Sequence, residues 1–199
     1  MTREHKIYSS MALYPRLNQP YHFDATANKS MPCSYDTPEA KYECSFIINA
    51  DQAKDVIKNS IEAFKIAAKP NWQPWAPKSI EEVFNADPES DNFILKSVKK
   101  TYGEDGKAPI QWLADSSLAP SGFMLTTGSI CHAVLTIAPW NYAGRSGVTF
   151  RLKAIKVVQL ADAPIATDPF AADDKAIMAQ AASNVDEFGL PNDEIPFGI

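Results

Sequence analysis

Basic and aromatic side chains are interleaved in two segments of the chain, and together they could bind a polyanion that exposes flat rings. Lysine and arginine pair with phosphates, and aromatic rings stack on bases, which is what sequence-independent binding of single-stranded nucleic acid requires. The alternative is an ordinary solvated strand face with tryptophans in the core. The candidate contacts are Lys99, Lys100, Tyr102, Lys107 and Trp112 in the first segment and Trp140, Tyr142, Arg145, Arg151, Lys153 and Lys156 in the second.

The second segment carries its charges on a strand with a strong alternating pattern. Val148, Phe150 and Leu152 have one parity, and the residues between them have the other. Ala154 and Ile155 interrupt the alternation, and one extra residue there would return Ile155 to the apolar side. The pattern therefore predicts a β-bulge and a strand that is apolar inside and basic outside.

The rest of the chain supplies elements that could position this strand. Alternation predicts further strands over residues 8–17, 42–48, 93–100, 110–113 and 130–138, with the third and fourth paired as a hairpin and a turn over 139–147. Apolar residues at helical spacing predict a helix between early strands, opened by a capping box of Asn49 and Gln52 and closed before Pro70. We expect a mainly β fold: an OB-like antiparallel barrel of five to six strands with one inserted helix and long loops.

The net charge of −5 is unevenly distributed along the chain. Residues 161–199 contain eight acidic residues and one lysine, a charge of −7, so the preceding 160 residues sum to +2. Alanine, proline and acids replace the strand pattern there, which is typical of disorder. We expect an OB-like domain that binds single-stranded nucleic acid over residues 1–160 and an acidic, largely disordered tail over residues 161–199.

Little in the sequence suggests catalysis. It has no P-loop, no GxGxxG, no GxSxG and no HExxH motif, and its three histidines stand apart from any carboxylate or cysteine pattern. The three cysteines form no recognisable pattern, which indicates a reducing compartment and no metal site. Because catalytic motifs are missing, we expect no cofactor and no enzymatic activity. No apolar run is long enough for a membrane span, and the first residues do not resemble a signal peptide.

The last residues resemble the C-terminal tip of bacterial single-stranded DNA-binding proteins, in which acids precede Ile-Pro-Phe. Here Asp193 and Glu194 precede Ile195, Pro196 and Phe197, although Gly198 and Ile199 follow the phenylalanine. In that family the acids meet basic residues of replication and repair proteins, and the phenylalanine enters an apolar pocket. The resemblance implies that Asp193 to Phe197 bind partners.

The body resembles phage-encoded single-stranded DNA-binding proteins of the OB-fold kind. The similarity rests on Tyr14-Pro15 in the opening strand, on residues 42–48 running into the helix, and on the closing strand over residues 147–158. It implies a protein of the host cytoplasm, not secreted and able to form a homo-oligomer, that coats exposed strands in replication, recombination or repair. The tail would compete for the DNA groove. The alternative is a non-enzymatic or virion-associated β-barrel whose acidic tail binds a basic protein.

Overall fold

The computed structural model describes residues 3–101 and 107–162. Within them the chain forms eight strands and one helix. In chain order these are β1 (Arg3–Asp24), β2 (Lys29–Pro32), β3 (Lys41–Ile48), α1 (Ala50–Ala67), β4 (Asn85–Ala86), β5 (Phe93–Lys100), β6 (Ile110–Trp112), β7 (Ile130–Tyr142) and β8 (Arg145–Gln159).

Five of the strands close into a barrel, which confirms the predicted fold class. Antiparallel pairing joins β5 to β3, β3 to β1, β1 to β7 and β7 to β8. A parallel pairing of β8 with β5, at Val98 and Arg151, closes the ring. The prediction of an entirely antiparallel sheet is wrong at this closure, because residue alternation does not report the direction of a neighbouring strand.

Apolar side chains of alternating parity fill the barrel. Phe46 and Ile48 on β3, Leu135 and Ile137 on β7, and Leu152 on β8 are almost completely buried. They form one continuous cluster with apolar residues of β1, β5 and α1. Burying one such side chain contributes about 1.5–3 kcal/mol, so the alternation of the sequence is the main determinant of the barrel.

The predicted bulge in β8 is present. Val134 pairs with Ala154 and Leu135 pairs with Leu152, so Lys153 is the extra residue. Ile155 is therefore returned to the core, as the sequence pattern predicts.

The first strand is longer than predicted and contains irregularities of its own. Predicted over residues 8–17, it extends from Arg3 to Asp24 and changes register after Ile7 and after Leu13. Ser9 and Tyr14 adopt left-handed backbone conformations at these two places. The bulges interrupt the alternation, which explains why the sequence pattern identifies only the middle of the strand.

The helix begins and ends as predicted. The Asn49 side chain accepts a hydrogen bond from the Gln52 amide, the Gln52 side chain accepts one from the Asn49 amide, and Ala67 is the last helical residue. α1 packs against β1, β7 and β8, and Ala53, Val56 and Ala63 are its residues in the core cluster. Within the described ranges, no helix has the length and apolar character needed to cross a membrane.

Candidate nucleic-acid interface

The β7–β8 hairpin carries most of the predicted contacts and is more regular than the sequence suggests. Tyr142 pairs with Arg145, which leaves a two-residue turn of Ala143 and Gly144 with φ values of 49° and 74°. Two successive positive φ values define a type I′ turn, whose twist matches that of the flanking strands. The turn predicted over residues 139–147 is therefore wrong: both strands continue almost to the tip.

Within the hairpin, the indole of Trp140 lies against the backbone of Gly147. The two residues are paired across the strands, and a Cβ atom at position 147 would be 2.6 Å from Trp140 Cζ2. Only glycine leaves room for the indole in this place. Trp140 nevertheless remains 39% exposed, so one part of the ring is fixed and another faces solvent. A ring held in this way would lose little side-chain entropy if a planar ligand stacked on it.

Hydrogen bonds connect the hairpin to the proline-rich loop after the helix. Asn141 Nδ2 donates to Ser146 Oγ at 2.6 Å, and Ser146 Oγ donates to the carbonyl oxygen of Gln73 at 2.6 Å. In that loop, Trp72 and Trp75 both lie against Phe64 of α1, with ring centroids 5.6 and 5.8 Å from its own. These two tryptophans therefore cover the end of the helix.

A groove runs over the outer surface of β5 and β8, beside Trp140. A first depression of about 250 Å³ lies between Lys100, Trp140 and Arg151. A second, of about 270 Å³, continues past Lys96. Val98 and Thr149 line both depressions, so the two form one surface, which we name the β5–β8 groove.

The groove is electropositive. Lys96 and Lys100 have the same parity on β5, and Arg151 is paired with Val98 between them. Among the described residues, none that lines either depression is acidic. The carboxylate of Glu43, opposite Val98 on β3, forms ion pairs with two bases, one of them Lys41 at 2.9 Å and the other Arg16.

Lys99 and Lys107 are not among the described residues that line the groove, and a third predicted contact lies outside the described part of the chain. Lys99 has the inward parity of Leu95 and Ser97 and is partly buried, so its position differs from that of Lys100. Lys107 is exposed in the segment before β6. Tyr102 lies outside the described residues, as do the predicted partner-binding residues from Asp193 to Phe197.

The hairpin tip and the bulge hold three more of the predicted residues. Tyr142 is 79% exposed and Arg145 is exposed opposite it. Lys153, at the bulge, forms an ion pair with Glu4 of β1. Its charge is therefore partly compensated within the protein.

Trp112 and Lys156 lie at a different depression, of about 120 Å³, on the outer surface of β1, β7 and β8. Lys156 Nζ donates to Ser116 Oγ at 2.7 Å. Tyr8 and His132 also line this depression and contact each other edge to face, with ring centroids 5.2 Å apart. The strand β6, which carries Trp112, pairs in parallel with β8 and not with β5, so the predicted hairpin of β5 and β6 is wrong.

Lys96 and Thr149 also line the groove, although neither is among the predicted contacts. Lys96 has the outward parity of Lys100, a signal that could have been used. Thr149 could not have been predicted as a contact, because an uncharged residue on the outward face of a strand carries no sequence signal for nucleic-acid binding.

Cys44 and Cys131 are buried in the barrel, and burial raises the pKa of both thiols, that of Cys131 to about 12. Both are protonated at neutral pH and are poor nucleophiles.

No protein-family model matches the sequence, and no curated protein matches it. The fold is similar to solved structures of phage proteins. The single-stranded DNA-binding protein of bacteriophage Enc34, solved in complex with single-stranded DNA, has a TM-score of 0.57 and 18% identity, covering 81% of this chain and 89% of its own. The single-stranded DNA-binding protein gp2.5 of bacteriophage T7 has a TM-score of 0.54 and 15% identity, covering 97% of this chain and 100% of its own. At these identities the likeness shows the fold.

Proposed function

We propose that this protein binds single-stranded DNA without reading its sequence, through the β5–β8 groove. The observation that carries the proposal is the groove itself, where Lys100 and Arg151 lie beside a tryptophan that is fixed by Gly147, and Lys96 continues the line of cations. Bases would stack on Trp140 while their phosphates meet the cations. The fold is that of proteins whose own names describe single-stranded DNA binding, which supports the same function here.

The groove would distinguish single-stranded from duplex DNA by the accessibility of the base faces. A single strand exposes the faces of its bases, whereas a duplex hides them in its stack, so Trp140 can stack only on bases of single-stranded DNA. Base-edge recognition needs side chains placed for hydrogen bonds in a groove of the duplex. Arg151 and the lysines are suited to phosphates, which carry no sequence information.

Within this function we propose that the protein coats and protects exposed strands in phage DNA replication, recombination or repair, in the host cytoplasm. The acidic tail would recruit partners through Asp193 to Phe197 and would compete with DNA for the groove. A segment of charge −7 tethered to the same chain has a high effective concentration near the cations. DNA, the denser polyanion, would displace it. No step of this function requires the protein to be an enzyme.

Titration of the intrinsic tryptophan fluorescence with oligo-dT tests the proposal. We expect strong quenching by the single strand, a weak response to duplex DNA of the same length, and a steep dependence on salt. Absence of any response to oligo-dT at low salt, also in a protein lacking residues 165–199, would exclude single-stranded DNA binding. The barrel would then be an interaction protein whose tail has a basic protein partner.

The predicted contacts lie on two surfaces, the β5–β8 groove and the depression that contains Trp112 and Lys156. Binding of short and long oligonucleotides can show whether DNA uses both surfaces. If Trp112 and Lys156 extend the DNA path beyond the groove, Trp112→Ala should weaken binding of long oligonucleotides and leave short ones unaffected. Trp140→Ala should weaken both. If Trp112→Ala weakened binding of short and long oligonucleotides equally, Trp112 would belong to the same binding site as Trp140.

A further inference from the structure

A second groove, separate from the β5–β8 groove, lies between α1 and residues 77–80. It is the largest of the depressions described here, about 480 Å³, and its floor is apolar. Ile57 and Ile61 from the helix face Ile80 and Pro77 across it. Ile57 and Ile80 also pack on the barrel core, so the floor is held in place by the fold.

Lysines surround this apolar floor. Lys54, Lys58, Lys65 and Lys78 line the groove and are all exposed. Lys54, Lys58 and Lys65 are separated by about one and about two helical turns, so they lie along the same side of α1. One carboxylate, that of Glu62, is also present, and it forms an ion pair with Arg3 of β1. Lys54 has Asp51 3.8 Å away, outside the groove lining.

An apolar floor with a cationic rim suits a short acidic peptide that ends in large apolar side chains. The exposed lysines would attract the acidic residues of the peptide and fix its direction. Burial of the peptide's apolar side chains on the apolar floor would provide most of the binding energy. A nucleic-acid strand is a poorer match, because among the described lining residues there is no aromatic ring on which a base could stack.

This chain contains a peptide of that kind at its own end. Asp193 and Glu194 are followed directly by Ile195, Pro196 and Phe197. We propose that the α1 groove binds residues 193–197 of a second copy of this chain, with the carboxylates at the lysine rim and the apolar residues on the isoleucine floor. The choice of a second copy rests on the proposed function, since copies that coat one strand lie side by side.

The consequence is a link between neighbouring molecules that does not use the DNA groove. Each copy would offer one acidic tip and one α1 groove, which is a head-to-tail contact that can continue along a strand. Binding of successive copies to long single strands would then be cooperative, and the cooperativity would depend on the tip.

A peptide-binding experiment on the full-length protein tests this proposal. The receptor carries Asp193→Asn, Glu194→Gln and Phe197→Ala, so that its own tip does not compete, and the probe is a fluorescent peptide of residues 188–199. We expect saturable binding by anisotropy. Combining Lys58→Glu with Lys65→Glu in the receptor should weaken it by at least about tenfold, whereas the charge-matched pair Lys29→Glu and Lys69→Glu should leave it within about twofold.

The peptide supplies a second control. A probe with Phe197→Ala keeps its charge but loses its apolar anchor, and it should also bind at least about tenfold more weakly. Thermal unfolding of each receptor variant checks that these exposed substitutions leave the fold intact.

Three results would overturn the proposal: no binding of the peptide to the receptor, equal loss in the charge-matched pair, or displacement of the peptide by a short oligo-dT. The last would place the tip in the β5–β8 groove. Failure of the proposed function is seen separately, as absence of quenching by oligo-dT in the wild-type protein. Lys58→Glu with Lys65→Glu should bind a short oligo-dT as the wild type does.

Discussion

The indole of Trp140 occupies the space that a side chain at Gly147 would need, with Cζ2 only 2.6 Å from the position of a Cβ atom. The glycine has an ordinary φ, so its role is to leave space rather than to permit an unusual backbone. The two residues are direct partners across β7 and β8. The orientation of one exposed aromatic ring in the groove is thus determined by a residue on the opposite strand.

Gly147→Ala should therefore weaken single-stranded DNA binding without any change to a residue that contacts DNA. The methyl group displaces the indole, and stacking of one base is worth about 1–3 kcal/mol. We expect Gly147→Ala and Trp140→Ala to weaken oligo-dT binding by similar amounts, and the double variant to be no weaker than Trp140→Ala alone. Additive losses in this cycle would mean that the glycine acts on something other than the tryptophan.

Substitution of the groove cations should change the salt dependence of DNA binding. Each phosphate contact releases condensed counterions, so the slope of log K against log salt changes by about 0.7 per contact for single strands. Lys100→Gln and Lys96→Gln should each reduce the slope by about that amount, and Lys29→Gln, on β2, should leave it unchanged. Titrations at four or five salt concentrations provide the slopes. If all three variants kept the wild-type slope, phosphates would not be bound in this groove.

Much of the fold could be predicted because one physical effect dominates it. The alternation on β3, β7 and β8 reports directly which side chains are buried, and the extra residue Lys153 is visible as a break in that pattern. The capping box of α1 is equally local. Strand direction and partner are not local, so neither the parallel closure of β5 with β8 nor the pairing of β6 with β8 could be read from the pattern.

The candidate site could be predicted less completely. Charge and aromatic content identify Lys100, Trp140 and Arg151, which the fold brings together. They do not reveal that Trp112 and Lys156 lie at another depression, because that separation depends on where β6 pairs. Nor do they show that Lys153 is paired with Glu4, which is distant in sequence.

Removal of the acidic tail should tighten DNA binding at low salt. If residues 161–199, of charge −7, compete for the groove, then deleting residues 165–199 frees the cations. The gain should shrink as salt screens the tethered charge. The deletion should alter the salt slope by less than Lys100→Gln does, since every groove cation is retained. A truncated protein that binds oligo-dT no more tightly than the full chain at low salt would rule out competition by the tail.

His5 should make the stability of the barrel depend on pH. Its side chain is 9% exposed, with Nε2 3.8 Å from Oδ2 of Asp55 on α1. Burial lowers the pKa of His5 below its usual value of 6.5, the Asp55 carboxylate opposes this, and Arg3 adds to the lowering. The unfolded chain therefore binds a proton more readily than the folded one, and stability is lost as the pH falls through about 6.5.

Urea unfolding at about pH 7.5 and about pH 5.5 measures this loss, and His5→Gln, which cannot titrate, should show a smaller difference between the two. Asp55→Asn removes the contribution that raises the pKa of His5, so it should enlarge the difference. The other carboxylates are present in all three proteins, so their contributions to the pH dependence of stability cancel when each variant is compared with the wild type. The exception is the carboxylate of Asp55, whose side chain is 63% exposed. Equal pH dependence in His5→Gln and the wild type would show that the folded and unfolded chains protonate His5 alike.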